Sequence, residues 1–246
     1  MSQLQTRLTC IFAASCLVLA HSLKAQEELT PIHGGFYAGV AIPSGPFKNV
    51  IDNGKGGLGL GFDAHVLANP FGKRRWSPIY LGGGVQYYYF GRDKIEETSV
   101  APPYKTSFNY YGVNGMARLL PLKKDGFTFF VDGMLGLKIV NAKTKVDKSA
   151  FETILDEAQP EVINNATDTG LSFGTGIGFF TKRYDIDEDG NFMPKASFSV
   201  RVAYVWGDKM THVTRGSLQV DSGFVSYDQG YSSTSMIQIQ IGAYIF

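Results

Sequence analysis

The chain has 246 residues, 44% hydrophobic and 13% aromatic, with 29 glycines and a formal net charge of +1. That length allows one large β domain or two small ones. The near-neutral charge gives no support for a nucleic-acid partner, which needs a strongly basic face, and past the N-terminus no apolar run approaches the ~18 residues of a transmembrane helix.

The N-terminus reads as a signal peptide over 1–25: Arg7 gives a thin basic start, 8–20 is apolar, and Leu23-Lys24-Ala25 ends on a small residue. Cleavage is expected after Ala25, leaving 26–246 as the folded domain. A lipoprotein cut at Cys16 is the weaker alternative, because Ala13 stands where a larger aliphatic is usual. Cys10 and Cys16 both fall in this segment, so the exported chain is expected to hold together without disulfides.

The rest divides into eight stretches of period 2, the signature of strands with two different faces. The first covers 35–42, followed by a polar loop over 43–55. The second, 56–68, sets Leu58, Leu60, Phe62, Ala64 and Val66 against Gly59, Gly61, Asp63 and His65. The third, 78–91, sets Ile79, Leu81, Val85 and Tyr87 against Tyr80, Gly82, Gly84 and Gln86. After a charged loop over 92–104, the fourth, 105–120, opposes Tyr111, Val113, Ala117 and Leu119 to Asn114, Met116 and Arg118; a turn over 121–126 follows. The fifth, 127–142, opposes Phe129, Val131, Leu135, Leu137 and Ile139 to Asp132, Met134 and Lys138. The loop at 143–166 is long, with a helical turn expected near 151–158. The sixth, 169–182, sets Leu171, Phe173, Ile177 and Phe179 against Ser172 and three glycines. A turn over 184–193 leads to the seventh, 195–207, in which Ser199 and Arg201 oppose Phe198, Val200, Val202 and Tyr204. The last loop, 208–232, precedes the closing stretch, 235–246, where Ile237, Ile239 and Ile241 alternate with Gln238 and Gln240.

Eight strands in up-and-down order put both chain ends at one rim, with shorter connections there and longer loops at the other. That asymmetry belongs to membrane barrels. A soluble barrel would bury the apolar face inside; a membrane barrel turns it to lipid. Two features favour lipid. The apolar band from Phe129 to Ile139 spans roughly 25 Å once tilted by about 40°. Aromatics also gather toward both rims, where amphipathic rings suit the headgroup zone: Trp76, Tyr80, Phe129, Phe179, Tyr244 and Phe246 at one, Tyr87, Tyr111, Tyr204 and Trp206 at the other. Arg92 and Lys105 among aromatics fit a girdle with a charged rim better than a nucleic-acid site. The expected fold is all-β, an eight-stranded antiparallel transmembrane barrel.

On these residues the chain resembles the small eight-stranded outer-membrane barrels of Gram-negative bacteria, of the outer membrane protein A type, over nearly everything after Ala25. The Gly34-Gly35-Phe36-Tyr37-Ala38-Gly39-Val40 opening and the Lys24-Ala25-Gln26 junction look like exported barrels of the Bacteroidetes. In the family's closing strand the terminal aromatic shares the lipid-facing set, whereas Phe246 has the parity of Gln238 and Gln240. The resemblance implies outer-membrane lipid and the barrel-insertion machinery as partners.

An eight-stranded barrel is just wide enough to be filled by side chains. Asp63, His65, Gln86, Asn114, Arg118, Asp132, Lys138, Arg201, Gln238 and Gln240 would then form a polar network in the lumen, with Asp63, Asp132, Arg118, Lys138 and Arg201 pairing, since buried charges need partners. Asp185, Asp187 and Asp189 begin like a calcium loop, but Ala196 stands where a glutamate is due, so a polar turn serves as well. His65 lies toward the periplasmic end, away from the outer leaflet, and His212 has no partner assignable from sequence. No catalytic site, metal or cofactor is expected. The reading is a non-enzymatic integral outer-membrane barrel with a structural or surface-recognition role, its variable contact surface at loops 143–166 and 208–232, where an extracellular or protein partner would bind. The alternatives are a narrow porin-like channel or a barrel subunit of a secretion or uptake complex. More remote are a lipid A-modifying enzyme and a soluble lipocalin-like carrier.

Overall fold

A computed structural model of the protein describes residues 32–52, 57–71, 78–96, 102–124, 127–147, 162–181, 183–186, 192–195, 197–221 and 224–245. The signal-peptide expectation, the helical turn at 151–158, Trp76, Asp187, Asp189 and Phe246 lie outside these residues. The strands are β1 (Ile32–Pro43), β2 (Gly59–Ala68), β3 (Ile79–Ile95), β4 (Tyr104–Lys124), β5 (Phe127–Val146) and β6 (Val162–Thr181). A short hairpin, β7 (Arg183–Ile186) and β8 (Phe192–Lys195), leads to β9 (Ser197–Gly207). The last loop carries β10 (Lys209–Val213), β11 (Gln219–Asp221), β12 (Phe224–Ser226) and β13 (Gln229–Ser233) before β14 (Met236–Ile245). Eight of these close a barrel in the order β1-β14-β9-β6-β5-β4-β3-β2, all neighbours antiparallel. Closure leaves no unpaired edge, which a lipid environment demands of any sheet.

The two faces separate cleanly. Leu135 is 66% exposed on the outside and Ile177 64%, with Leu60, Val66, Val113, Leu171 and Ile241 exposed on the same outer surface. Asp63, Arg118, Asp132, Arg201 and Gln238 point inward and are buried. Inward glycines let neighbouring strands approach closely: a Cβ at Gly82 would strike the Val66 carbonyl, and one at Gly242 the Phe36 carbonyl. Among the described residues no helix is long and apolar enough to cross a membrane; the strands do so.

Several boundaries differ from the sequence expectation. The loops at 92–104 and 143–166 are shorter, because β3 runs on to Ile95, β4 starts at Tyr104, β5 reaches Val146 and β6 starts at Val162. Above the lipid-facing band the pattern inverts. Tyr104, Phe108 and Ala142 are buried inside while Lys105, Ser107, Asn109, Lys143 and Lys145 line the outside. The ladder continues there, but the apolar signal has changed faces. The expected turn at 121–126 is strand as far as Lys124, with a register shift between Leu119 and Leu122 that accommodates Pro121. The expected turn at 184–193 is the β7–β8 hairpin, and the polar loop after β1 holds a short helix, α1 (Pro46–Asp52).

A charge on the outer face should be costly at mid-height. Leu135→Arg is expected to lower stability by about 2–4 kcal/mol in urea unfolding of the protein in lipid vesicles. An unchanged midpoint would place Leu135 outside the lipid.

Candidate functional site

The inward side chains near the middle of the barrel form an alternating chain of charges. Register places Arg118 of β4 directly beside Asp132 of β5, and Gln86 of β3 beside Asp63 of β2. Arg118 donates from Nε and Nη2 to Asp132 Oδ1 and Oδ2, each at 2.7 Å, a bidentate pair. Arg201 of β9 reaches across: its Nη2 donates to Asp63 Oδ2 at 2.9 Å, and its Nη1 lies 3.6 Å from Asp132 Oδ2. The order Arg118–Asp132–Arg201–Asp63 balances two cations with two anions. Asp63 also accepts from Gln86 Nε2 at 2.7 Å and pairs with His65 Nδ1 at 3.1 Å.

Amides and rings fill the rest. Gln86 and Gln238 exchange amide contacts at 3.2 and 3.3 Å, and Gln240 Nε2 donates to the Tyr88 hydroxyl at 2.6 Å. Ser172 donates to Asn114 Oδ1 at 3.3 Å. The Arg118 guanidinium lies 3.8 Å from the Phe130 ring centroid and 5.1 Å from that of Tyr244, so its faces meet π-systems while its edge meets Asp132. Tyr37, whose hydroxyl bonds Ser199 at 2.9 Å, approaches Arg201.

The ten residues of the expected lumen network are all buried, Asn114 most accessible at 6%. Lys138 does not join the charge chain: its Nζ lies 3.5 Å from the Thr234 carbonyl, well above the carboxylates. Gly207 makes its room, since a Cβ there would collide with the ammonium. Two girdle assignments are corrected. Tyr80 and Tyr244 are buried inside, because they share the parity of Arg118's partner row and of Gln238. Tyr80 stacks on His33, and Tyr244 stacks on Phe180 and bonds His33 Nδ1 at 2.9 Å. Tyr87, Tyr111, Phe129, Phe179, Tyr204 and Trp206 lie on the outer face. There Phe36, Phe62, Tyr87 and Tyr111 form a continuous row, while Phe173 stacks on Trp206.

At the long-loop end, α1 packs against strand and last-loop residues. Phe47, Val50 and Ile51 of α1 are buried, Phe47 meeting Phe90 and His212 edge-on. Arg215, in the last loop, fastens this cap. Its backbone N donates to the Val50 carbonyl at 2.9 Å, its Nη1 to the Phe90 carbonyl at 3.2 Å, and its Nε to Asp93 at 3.0 Å. Gly91, at φ +100°, lies directly under that guanidinium, at a conformation few other residues adopt. His212 finds a partner that sequence did not offer, Ser232 Oγ at 2.9 Å from Nε2 across the β10–β13 ladder. Nothing in the sequence marked Arg215, Asp93 or Ser232, whose roles depend on long-range docking. Burial, opposed by nearby Asp168, pushes the His212 imidazole down to about 4. Among the described residues no group of three or more His, Cys, Asp or Glu could hold a metal.

An outward aliphatic band, a charged interior and a closed eight-stranded antiparallel sheet define an integral outer-membrane β-barrel. The chain belongs to the outer membrane protein beta-barrel domain family, whose model matches residues 10–210. Three solved barrels are similar at low identity. Neisserial surface protein A is 10% identical, covering 87% of this chain and 94% of its own, with a TM-score of 0.46. Ail, the attachment invasion locus protein of Yersinia pestis, solved with the heparin analogue sucrose octasulfate, is 15% identical over 87% of this chain and 99% of its own, TM-score 0.43. A major outer membrane protein of Thermus thermophilus is 12% identical over 86% and 98%, TM-score 0.44. No curated protein matches the sequence.

Removing one partner of a buried pair leaves the other uncompensated, so Asp132→Ala is expected to cost about 3–5 kcal/mol. The double variant Arg118→Met/Asp132→Leu should lose clearly less than Asp132→Ala in urea unfolding; equal losses would contradict the pairing.

A histidine whose folded pKa lies below its unfolded one stabilises the fold above the unfolded value, and that contribution is lost as pH falls from about 6.5 toward 4. Hydrogen exchange of 44–52 and 209–233, corrected for intrinsic rate, should therefore quicken over that window. His212→Gln should remove the acceleration, and its persistence would assign it elsewhere.

Proposed function

We propose that this protein is a non-enzymatic barrel whose lumen is plugged and whose function lies in the rigid surface it presents outside the cell. One observation carries the reading: large inward side chains from several of the barrel strands are completely buried. They are Arg118, Arg201, Lys138, Tyr80, Tyr88, Tyr110, Tyr244 and Phe180, and α1 packs at the long-loop end. A small-solute path would have to displace a neutral, mutually bonded charge chain and then an apolar cap. Both steps are costly in a low-dielectric interior.

The loops suit recognition for a complementary reason. The last loop is built as a β10–β13 hairpin seated on β6, where Thr211 N donates to Asp168 at 2.6 Å, and it is fastened to α1 and to β3 through Arg215. Such a surface costs little ordering entropy when it meets a partner. Tyr231, 69% exposed on β13, is the large aromatic of this surface most open to a contact. The Ser232–His212 pair lacks an acidic group bonded to the imidazole, and it sits behind Phe47, so it serves the hairpin rather than acyl transfer.

In planar bilayers the folded protein should give no unitary currents, whereas Arg201→Ala combined with removal of 46–52 should admit them. Stepwise conductance from the unaltered protein would overturn the plugged reading. Ser232→Ala should leave the acylation pattern of outer-membrane lipid unchanged by mass spectrometry, and an altered acyl chain count would make the protein an enzyme.

A further inference from the structure

Above the lipid-facing band, the outer wall of β3, β4 and β5 carries cations in register. Lys94 pairs across with Lys105, and Lys105 with Lys145, so three lysines from three adjacent strands stand side by side. One pleat lower, Arg92 pairs with Ser107, and Ser107 with Lys143. Below that lie Asn109 and Asn141, and then the Tyr87–Tyr111–Ile139 row at the top of the band. The alternating burial of Tyr104, Thr106, Phe108, Ala142 and Thr144 fixes the outward direction of the cations.

Like charges directly opposite on neighbouring strands destabilise a sheet. The described residues relieve this once, at Lys94, which pairs with Asp147 at 2.8 Å. Arg92, Lys105, Lys143 and Lys145 have no acidic partner within ion-pair distance among the described residues. Asp147 feels the surplus: the bond from Lys94, with the charges of Lys105 and Arg92 behind it, holds its carboxyl below the ordinary range.

Height identifies what faces these side chains. From the Ile139 row to the Lys143 row is four residues and to the Lys145 row six, roughly 10 and 15 Å along a strand tilted by about 40°. Headgroups extend about 5–8 Å beyond each edge of the hydrocarbon, and lysine and arginine side chains reach back toward them. A soluble polyanion would meet the lower row only by entering laterally where headgroups already stand.

We propose that this wall is a binding site for the phosphate groups of an outer-leaflet glycolipid, with Lys94, Lys105 and Lys145 as the upper row and Arg92 and Lys143 as the lower. Phosphate fits because it is multiply charged and can bridge neighbouring ammonium groups, turning a repulsive arrangement into a chelating one.

The test uses the full folded chain in detergent, offered bisphosphorylated lipid A, its dephosphorylated form, or soluble polyphosphate. The unaltered protein should retain the bisphosphorylated lipid through gel filtration and release it as salt is raised. The triple variant K94Q/K105Q/K145Q should bind about a hundredfold more weakly at low salt, while still shifting in gel mobility on boiling as a folded barrel does. Equal retention by variant and parent, or of both lipid forms, would overturn the site. Equal binding of polyphosphate would make the occupant a soluble anion and overturn the lipid assignment. Thermal unfolding gives a second arm. Without lipid the variant K105Q/K145Q, which keeps the Lys94–Asp147 pair, should melt higher than the parent, because repulsion is relieved; with bisphosphorylated lipid A the parent's midpoint should rise more than the variant's. A lower lipid-free midpoint in the variant would mean the chain's own carboxylates already answer these cations, and the proposal would fall.

Discussion

A guanidinium can stand in the middle of a membrane only if its charge is paired with an opposite one. Here Arg118 is gripped along its edge by both oxygens of Asp132 and covered on its face by Phe130, and Arg201 spans to Asp63. Eight strands make a barrel too narrow for water to do this work, so the side chains must do it themselves. That requirement sets the sequence: residues of opposite charge on strands whose register brings them level, amides beside them, and strictly alternating aliphatic residues to meet lipid. A one-residue slip of β2, β4, β5 or β9 would turn a charge into hydrocarbon.

The same barrel obeys a second rule above the lipid. There the outer wall carries polar residues, and the interior becomes the apolar side, with Phe47, Phe90, Phe108, Met210 and Val213 buried within it. The protein is thus a membrane barrel below and, above it, an extension of the four long strands β3, β4, β5 and β6 whose inner face is apolar. The cap is the core of that upper part, which is why α1 and the β10–β13 hairpin are docked rather than splayed. Arg215 is its keystone, its backbone N–H reaching Val50 of α1 and its side chain reaching Phe90 and Asp93 of β3.

The division into strands was readable because period-2 alternation survives wherever one face meets lipid. The identity of the lumen network followed from parity alone, as with Asp132 and Gln238. The Tyr80 and Tyr244 assignments failed because an aromatic near a rim suggests a girdle, while parity put both inside, where their rings pack against His33, Phe180 and Arg118. Strand ends were lost where the two faces exchange character: on β5, Ala142 and Lys143 alternate as regularly as Leu137 and Lys138, but with the sense reversed. Lys138 itself was expected to pair with a carboxylate, yet sits too high on β5 to reach Asp63 or Asp132, and only the shear of the barrel reveals that. The cap and the Arg215 contacts left no local trace, since they join residues more than a hundred positions apart.

The alternation on β5 carries the whole account, and site-directed spin labelling tests it directly. Residues 131–139 would be replaced one at a time by a labelled cysteine in the protein folded in lipid vesicles. Collisions with oxygen and with a water-soluble nickel complex are then measured at each position. Labels at 131, 135, 137 and 139 should meet oxygen freely and nickel hardly at all, while those at 132, 134 and 138 should be shielded from both. Nickel reaching the odd positions would mean that this face meets water, and the membrane assignment would be wrong.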